Sequence, residues 1–210
     1  VRLYGLYKVE GSTKVSKIKL PDNYSIPESP DNFFYYLTKV KGFEDLEERV
    51  VINWGKSTIS WHQWLSPKEV VEILPAGYAR PFPGFLDFIL SFHELKRIID
   101  YPEANREWHT SLSNIAGIYM ILHETTGAQY IGSAYGSQGI LGRWKNYVDS
   151  GHGGNILLKK LLEENPSIVS EFKYSILRTL PKSMTIKEVL DFENFYKKKL
   201  GTRTFGLNAN

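Results

Sequence analysis

A chain of 210 residues and 24.1 kDa, 42% of them apolar, is long enough for one large domain or two small ones and apolar enough to bury a core. It has no run approaching the roughly 18 apolar residues of a membrane span, no basic-then-apolar leader after Val1, and no cysteine, which removes disulfides, thiolate zinc sites and cysteine nucleophiles together and suits a reducing cytoplasm. Net charge is +3, divided as −1 over residues 1–110 and +4 over residues 111–210, so the second half is the better candidate to meet an anion.

The elements expected before residue 110 are mixed. Val1 to Val9, Val15 to Leu20 and Phe33 to Thr38 are rich in β-branched and aromatic residues and read as strands, with a Pro-, Asp- and Ser-dense loop from Pro21 to Asp31. Arg49 to Trp54 and Ser57 to Trp64 flank Gly55-Lys56 as a hairpin would. Trp54, Trp61 and Trp64 cluster there, either as core or as a pocket that stacks a flipped or modified base. Pro67 to Leu74 reads as a short helix and Phe85 to Leu90 as a strand. Ser91, with Glu94 three residues on, forms a capping box for a helix ending near Ile99. Asp100 to Glu107 is polar, carries a Pro and falls where the charge changes sign. It reads as the linker between a domain of residues 1–110, which shows no catalytic constellation, and a domain of residues 111–210.

The second half is sharper. Ile115 to Leu122 is a continuous apolar strand, His123 to Gly127 a five-residue hairpin loop, and Ala128 to Gly132 the returning strand. A Gly- and Ser-rich stretch, Ser133 to Gly139, leads into a helix from Ile140 to Asp149. Gly151 to Gly154 breaks it, and a second helix runs from Asn155 to Glu164. Glu171 to Arg178 alternates as a third strand. Thr185 and Glu188 form another capping box for a last helix that stops at Gly201.

Several residues are wrong for a plain core. Glu193 lies three, four or seven residues from Ile186, Val189, Leu190, Tyr196 and Leu200, which puts an acid on the apolar face of the last helix. Such an acid either reaches solvent, pairs with a Lys, or points into a site where it binds a cation. Arg143 and Tyr147 are four apart and share a helix face beside Leu141, Trp144 and Val148. His152 sits in the GHGG break, a structural position or a phosphate-facing one, and Lys159 and Lys160 follow on the next helix as candidate phosphate contacts.

Gly117-Ile118-Tyr119 and Tyr130-Ile131-Gly132 lie eleven residues apart, tyrosine to tyrosine, on the two strands of one hairpin. With Arg143 on the next helix, Glu193 on a later one and Asn208 near the end, they resemble the GIY-YIG nuclease superfamily, which places an Arg, a metal-binding Glu and an Asn in this order. Tyr147 matches a position the family fills with Tyr or His, whereas Ser133 stands directly after YIG, near where many members carry a Lys. The resemblance covers residues 115–208. It implies a small α/β sandwich, its three-stranded antiparallel sheet flanked by helices; residues 1–110 resemble no family, and their mixed α/β signals make the whole an α+β chain with a separate N-terminal domain expected to choose the target.

The same resemblance implies a metal-dependent DNA endonuclease, expected in bacterial restriction or defence. The alternatives are DNA repair or recombination, or a nucleic-acid-binding module with an inactive nuclease core. Mg²⁺, or Mn²⁺, would sit on Glu193. Arg143 would fork onto a phosphate oxygen. Tyr119 would take a proton from the attacking water, with its pKa lowered by Arg143 or the metal. Tyr147 would orient the phenol or water, Tyr130 would bond water or phosphate, and Asn208 would fix one of these side chains or help hold the site closed; Ser133 joins His152, Lys159 and Lys160 as a substrate contact. Cutting both strands with one site per chain favours a homodimer or sequential nicking.

Overall fold

The computed structural model describes residues 1–19, 32–55 and 66–209. The expected loop at 21–31, the strand at 57–64, the Lys56 side of the hairpin turn, and Trp61 and Trp64 lie outside the described residues. The chain divides into two compact units, Val1–Ala76 and Gly77–Asn210.

The first unit holds two separate two-stranded antiparallel sheets. Strand β1 (Tyr7–Lys14) pairs with β2 (Phe33–Lys39), with a bulge between Val9 and Gly11. Strand β3 (Val50–Ile52) pairs with β4 (Val70–Ile73). The expected strand from Val1 to Val9 is therefore divided: Val1 to Leu3 lies along β3, where Leu3 N donates to Val50 O at 2.9 Å and Ile52 N to Val1 O at 2.8 Å. A 3₁₀ turn over Val15–Lys17 replaces the start of the second expected strand. The helix expected over Pro67 to Leu74 is strand β4, because Val70, Val71 and Ile73 are β-branched and β3 supplies the pairing that a local helix would forgo. Among the described residues of this unit only Val50 and Leu74 are buried hydrophobics.

The boundary expected near residue 110 falls inside the second unit. Strand β5 (Leu90–Ser91), helix α1 (Phe92–Asp100) and helix α2 (Arg106–Ser113) precede the hairpin and share its core. Phe92, Leu95 and Ile98 recur at helical spacing on α1 and are buried, and the Ser91–Glu94 capping box forms. The expected linker is itself packed. Asn105 is 2% exposed; its Oδ1 accepts from Ala79 N at 3.0 Å and its Nδ2 donates to Gly77 O and Tyr101 O, both at 2.9 Å.

The expected three-stranded sheet gains β5 as a fourth strand and has the order β5-β8-β6-β7, antiparallel throughout, from β6 (Ala116–His123), β7 (Gln129–Ala134) and β8 (Phe172–Leu180). Central β6 is apolar on both faces because both are covered. Tyr119 and Ile121 face a core shared with α1, α2 and helices α3 (Gly139–Ser150) and α4 (Ile156–Glu164). Ala116 and Ile118 face Val189 of helix α5 (Ile186–Leu200), capped by Thr185 and Glu188. A short α6 (Thr202–Phe205) closes the chain. Strand β7 is one edge of this sheet, so side chains from both faces converge beside it. Among the described residues no helix is long and apolar enough to cross a membrane.

Candidate active site

A cavity of about 500 Å³ opens beside β7. Alternation along the strand sends Tyr130 to the α3 side and Ser133 to the α5 side. The cavity is lined by both, together with Arg143 and Asn146 of α3, Leu190 and Glu193 of α5, and the loop Tyr135 to Gln138. Lys182 Nζ holds that loop through Ser137 O at 2.6 Å. One wall thus carries a guanidinium and the other a carboxylate.

Arg143 is fixed from behind. Its Nε donates to the Tyr119 hydroxyl at 3.0 Å and its Nη2 to the Tyr147 hydroxyl at 3.4 Å, and its guanidinium carbon stands 5.1 Å from the centre of the Tyr147 ring. The two hydroxyls are 3.1 Å apart. Tyr119 and Tyr147 are fully buried and do not line the cavity; Tyr130 does. Burial pushes the Tyr119 phenol well above its ordinary range, and the opposing attraction of Arg143 is too weak to reverse this. Tyr147 is raised by burial as well. Both phenols are neutral near pH 7: Arg143 favours the Tyr119 phenolate through its charge and hydrogen bond, as expected, but burial outweighs it.

The two motif tripeptides interlock. Tyr119 is opposite Gly132 in the β6–β7 register, and a Cβ on Gly132 would strike the Tyr119 phenol. The glycine of the second tripeptide therefore makes room for the tyrosine of the first. Gly153, at φ +54°, does the same for Tyr147: a Cβ there would lie 2.6 Å from the ring. The GHGG break thus serves packing. His152 Nδ1 accepts from Gly154 N at 3.0 Å within that turn, and neither His152 nor the exposed Lys159 and Lys160 of α4 lines the cavity.

Glu193 is 14% exposed and both its oxygens are engaged: Oε2 accepts from the Ser133 hydroxyl, and Oε1 lies 2.7 Å from Lys197 Nζ. Lys197, buried one turn along α5, was not expected at the site, although a Glu followed by a Lys at four residues is a legible helical pair. The cavity also takes in Asn146, Gln138 and Tyr135, polar residues with no sequence signal to separate them from surface. An oxygen donor at an open cavity, with space for retained waters, fits a hard divalent cation. Among the described residues no group of three or more His, Asp or Glu forms a denser ligand set.

Asn208 stands apart from the cavity. It is 2% exposed, and its amide pairs with both backbone groups of Ile131, accepting from N at 2.9 Å and donating to O at 2.8 Å. It thereby closes the free edge of β7.

No family model matches the chain, and no curated protein matches it. Among solved structures, the chain is similar to the catalytic domain of the intron endonuclease I-TevI in a mutant form, at 25% identity over 46% of this chain and 94% of that one, with a TM-score of 0.37. A second structure of the catalytic domain of homing endonuclease I-TevI gives 25% identity over 45% of this chain and 98% of that one, with a TM-score of 0.36.

Proposed function

We propose that the chain is a divalent-cation-dependent DNA endonuclease that hydrolyses phosphodiester bonds at the β7 edge. One observation carries this reading: Arg143 and Glu193, remote in sequence and on opposite faces of the sheet, line one open cavity in the ordered motif context of GIY, YIG, Arg, Glu and Asn.

Arg143 spends its Nε on Tyr119 and one Nη2 proton on Tyr147, and the remaining guanidinium N–H groups can donate to a non-bridging phosphate oxygen. The neutral Tyr119 and Tyr147 phenols hold that cation in place, and pre-set geometry is worth more in a partly enclosed site than in water. Tyr130, the motif phenol that lines the cavity, is placed to bond the attacking water or the phosphate. Glu193, oriented by Ser133, holds Mg²⁺ or Mn²⁺. That ion, when bound, neutralises phosphate charge and stabilises the leaving oxygen.

The setting that fits best is restriction or defence, with residues 1–76 choosing the target. That segment has ten basic and ten acidic residues, so its selectivity has to come from shape or base contacts and not from bulk attraction. One site per chain calls for a dimer or two successive nicks to break a duplex. Digestion of methylated, unmethylated, single-stranded and branched DNA with Mg²⁺, followed by mapping of the ends, tests the reading. Cleavage restricted to defined duplex sites, set by sequence or methylation, is expected. Preference for branched DNA would assign repair or recombination, and binding without cleavage would leave a recognition module.

A further inference from the structure

Resting on the reading of Glu193 as the metal ligand, we propose that Lys197 is a tethered cation that competes with the divalent ion for the Glu193 carboxylate and keeps metal affinity low in the DNA-free protein. Lys197 is 3% exposed, whereas its neighbours Lys198 and Lys199 are exposed. A lysine taken out of water needs a partner, and this one lies 2.7 Å from Glu193 Oε1. Ser133 engages the other oxygen. Glu193 lines the cavity and Lys197 does not, so the ammonium sits behind the carboxylate, away from the opening.

The charges around the cavity then decide the issue. Glu193 contributes one negative charge, Lys197 cancels it, and Arg143 adds a positive charge on the opposite wall. Among the described residues, a divalent ion entering the DNA-free cavity meets the Arg143 cation on one wall and, on the other, a carboxylate already paired with Lys197. A DNA phosphate on Arg143 supplies the missing negative charge, so metal and DNA favour each other's binding. Without Lys197 the carboxylate would face the metal with its full charge, and like charges within a few ångströms in a partly enclosed site repel strongly enough to govern affinity.

Mn²⁺ titrated into the full chain without DNA, with free ion read by electron paramagnetic resonance, tests this. Lys197→Met is expected to bind Mn²⁺ at least about tenfold more tightly than wild type. Lys197→Arg keeps the charge and should stay within about twofold of wild type, and adding Glu193→Gln to Lys197→Met should abolish the gain. Lys197→Met binding that is no tighter than wild type, yet still abolished by Glu193→Gln, overturns the competition while leaving Glu193 as the ligand. Binding that survives Glu193→Gln overturns the metal assignment, and the proposal with it. Should Lys197→Met not fold, the wild type decides: in ¹³C-lysine-labelled protein, saturating Mg²⁺ must move the Lys197 Cε signal, and an unmoved signal overturns the proposal.

Discussion

The Tyr119 hydroxyl sits behind Arg143, where it can hold the guanidinium but cannot reach the cavity. Tyr119→Phe keeps the ring and removes only that acceptor. It is expected to lower kcat by about ten- to a hundredfold, the scale of a small misplacement of a positioning group, with DNA affinity nearly unchanged. An unchanged pH profile of kcat would accompany the loss, and disappearance of the rise of kcat with pH that an ionising general base produces would instead make Tyr119 the proton acceptor. The same burial has a consequence for stability. Tyr119, Tyr147 and Tyr174 are three buried phenols with raised pKa values, so each favours the folded state in its neutral form. Below about pH 10 they are neutral in folded and unfolded chains alike, and their contribution is whole. Above that the unfolded chain ionises first, and stability should fall by about 4 kcal/mol per pH unit for three phenols. Denaturant melts at pH 9, 10 and 11, with phenolate absorbance followed alongside, check this; stability flat across that range would contradict it. At this scale the sequence marks Arg143 and Glu193 by their places on helix faces, and Tyr119 and Tyr130 by the resemblance of their tripeptides to the GIY-YIG motif, but not which phenol faces the cavity, since that depends on how the helices cover the sheet.

Strand β7 organises the site because it is both a motif strand and a sheet edge. Its outer backbone groups need partners, and the C-terminal segment provides them through Leu207 N to Gln129 O at 2.8 Å and the two bonds of Asn208 to Ile131. Asn208→Ala would leave a buried N–H and C=O unpaired. It is expected to cost about 2–4 kcal/mol, read as a lower Tm and a lower denaturant midpoint with kcat retained by the folded fraction. A large loss of kcat without loss of stability would instead give Asn208 a direct part in the chemistry. Elements with strong local signals were legible in the sequence: both capping boxes form, and the GIY and YIG strands pair in the expected hairpin. Elements decided by partners were not. Strand β4 exists because β3 is beside it, and β5 is only two residues long. Helix α2 shows only Trp108 and Leu112, four apart, in an otherwise polar run.

Across the whole molecule, the division at residues 76 and 77 alters what a catalytic fragment must contain. Leu90, Leu95, Ile98 and Trp108 are all buried in the core that also holds Tyr119 and Trp144. A fragment of residues 77–210 is expected to melt cooperatively, whereas one of residues 111–210 loses these four core side chains and also Phe88 and Phe92, at about 2–5 kcal/mol each, and should not fold. Circular dichroism melts and amide spectra of the two fragments separate these outcomes; a well-folded 111–210 fragment would restore the boundary near residue 110. Charge follows the same division, since residues 1–76 are neutral and all of the +3 lies in residues 77–210.

The two-walled cavity at the β7 edge stands or falls most directly on nicking of supercoiled plasmid DNA by the full chain, wild type against Arg143→Ala and Glu193→Ala. Cleavage by the wild type with Mg²⁺ or Mn²⁺, lost on chelation and reduced at least about a hundredfold in each folded variant, is the expected result. Cleavage that persists in both variants, or a folded wild type that binds DNA and never cuts it under either metal, would contradict the assignment.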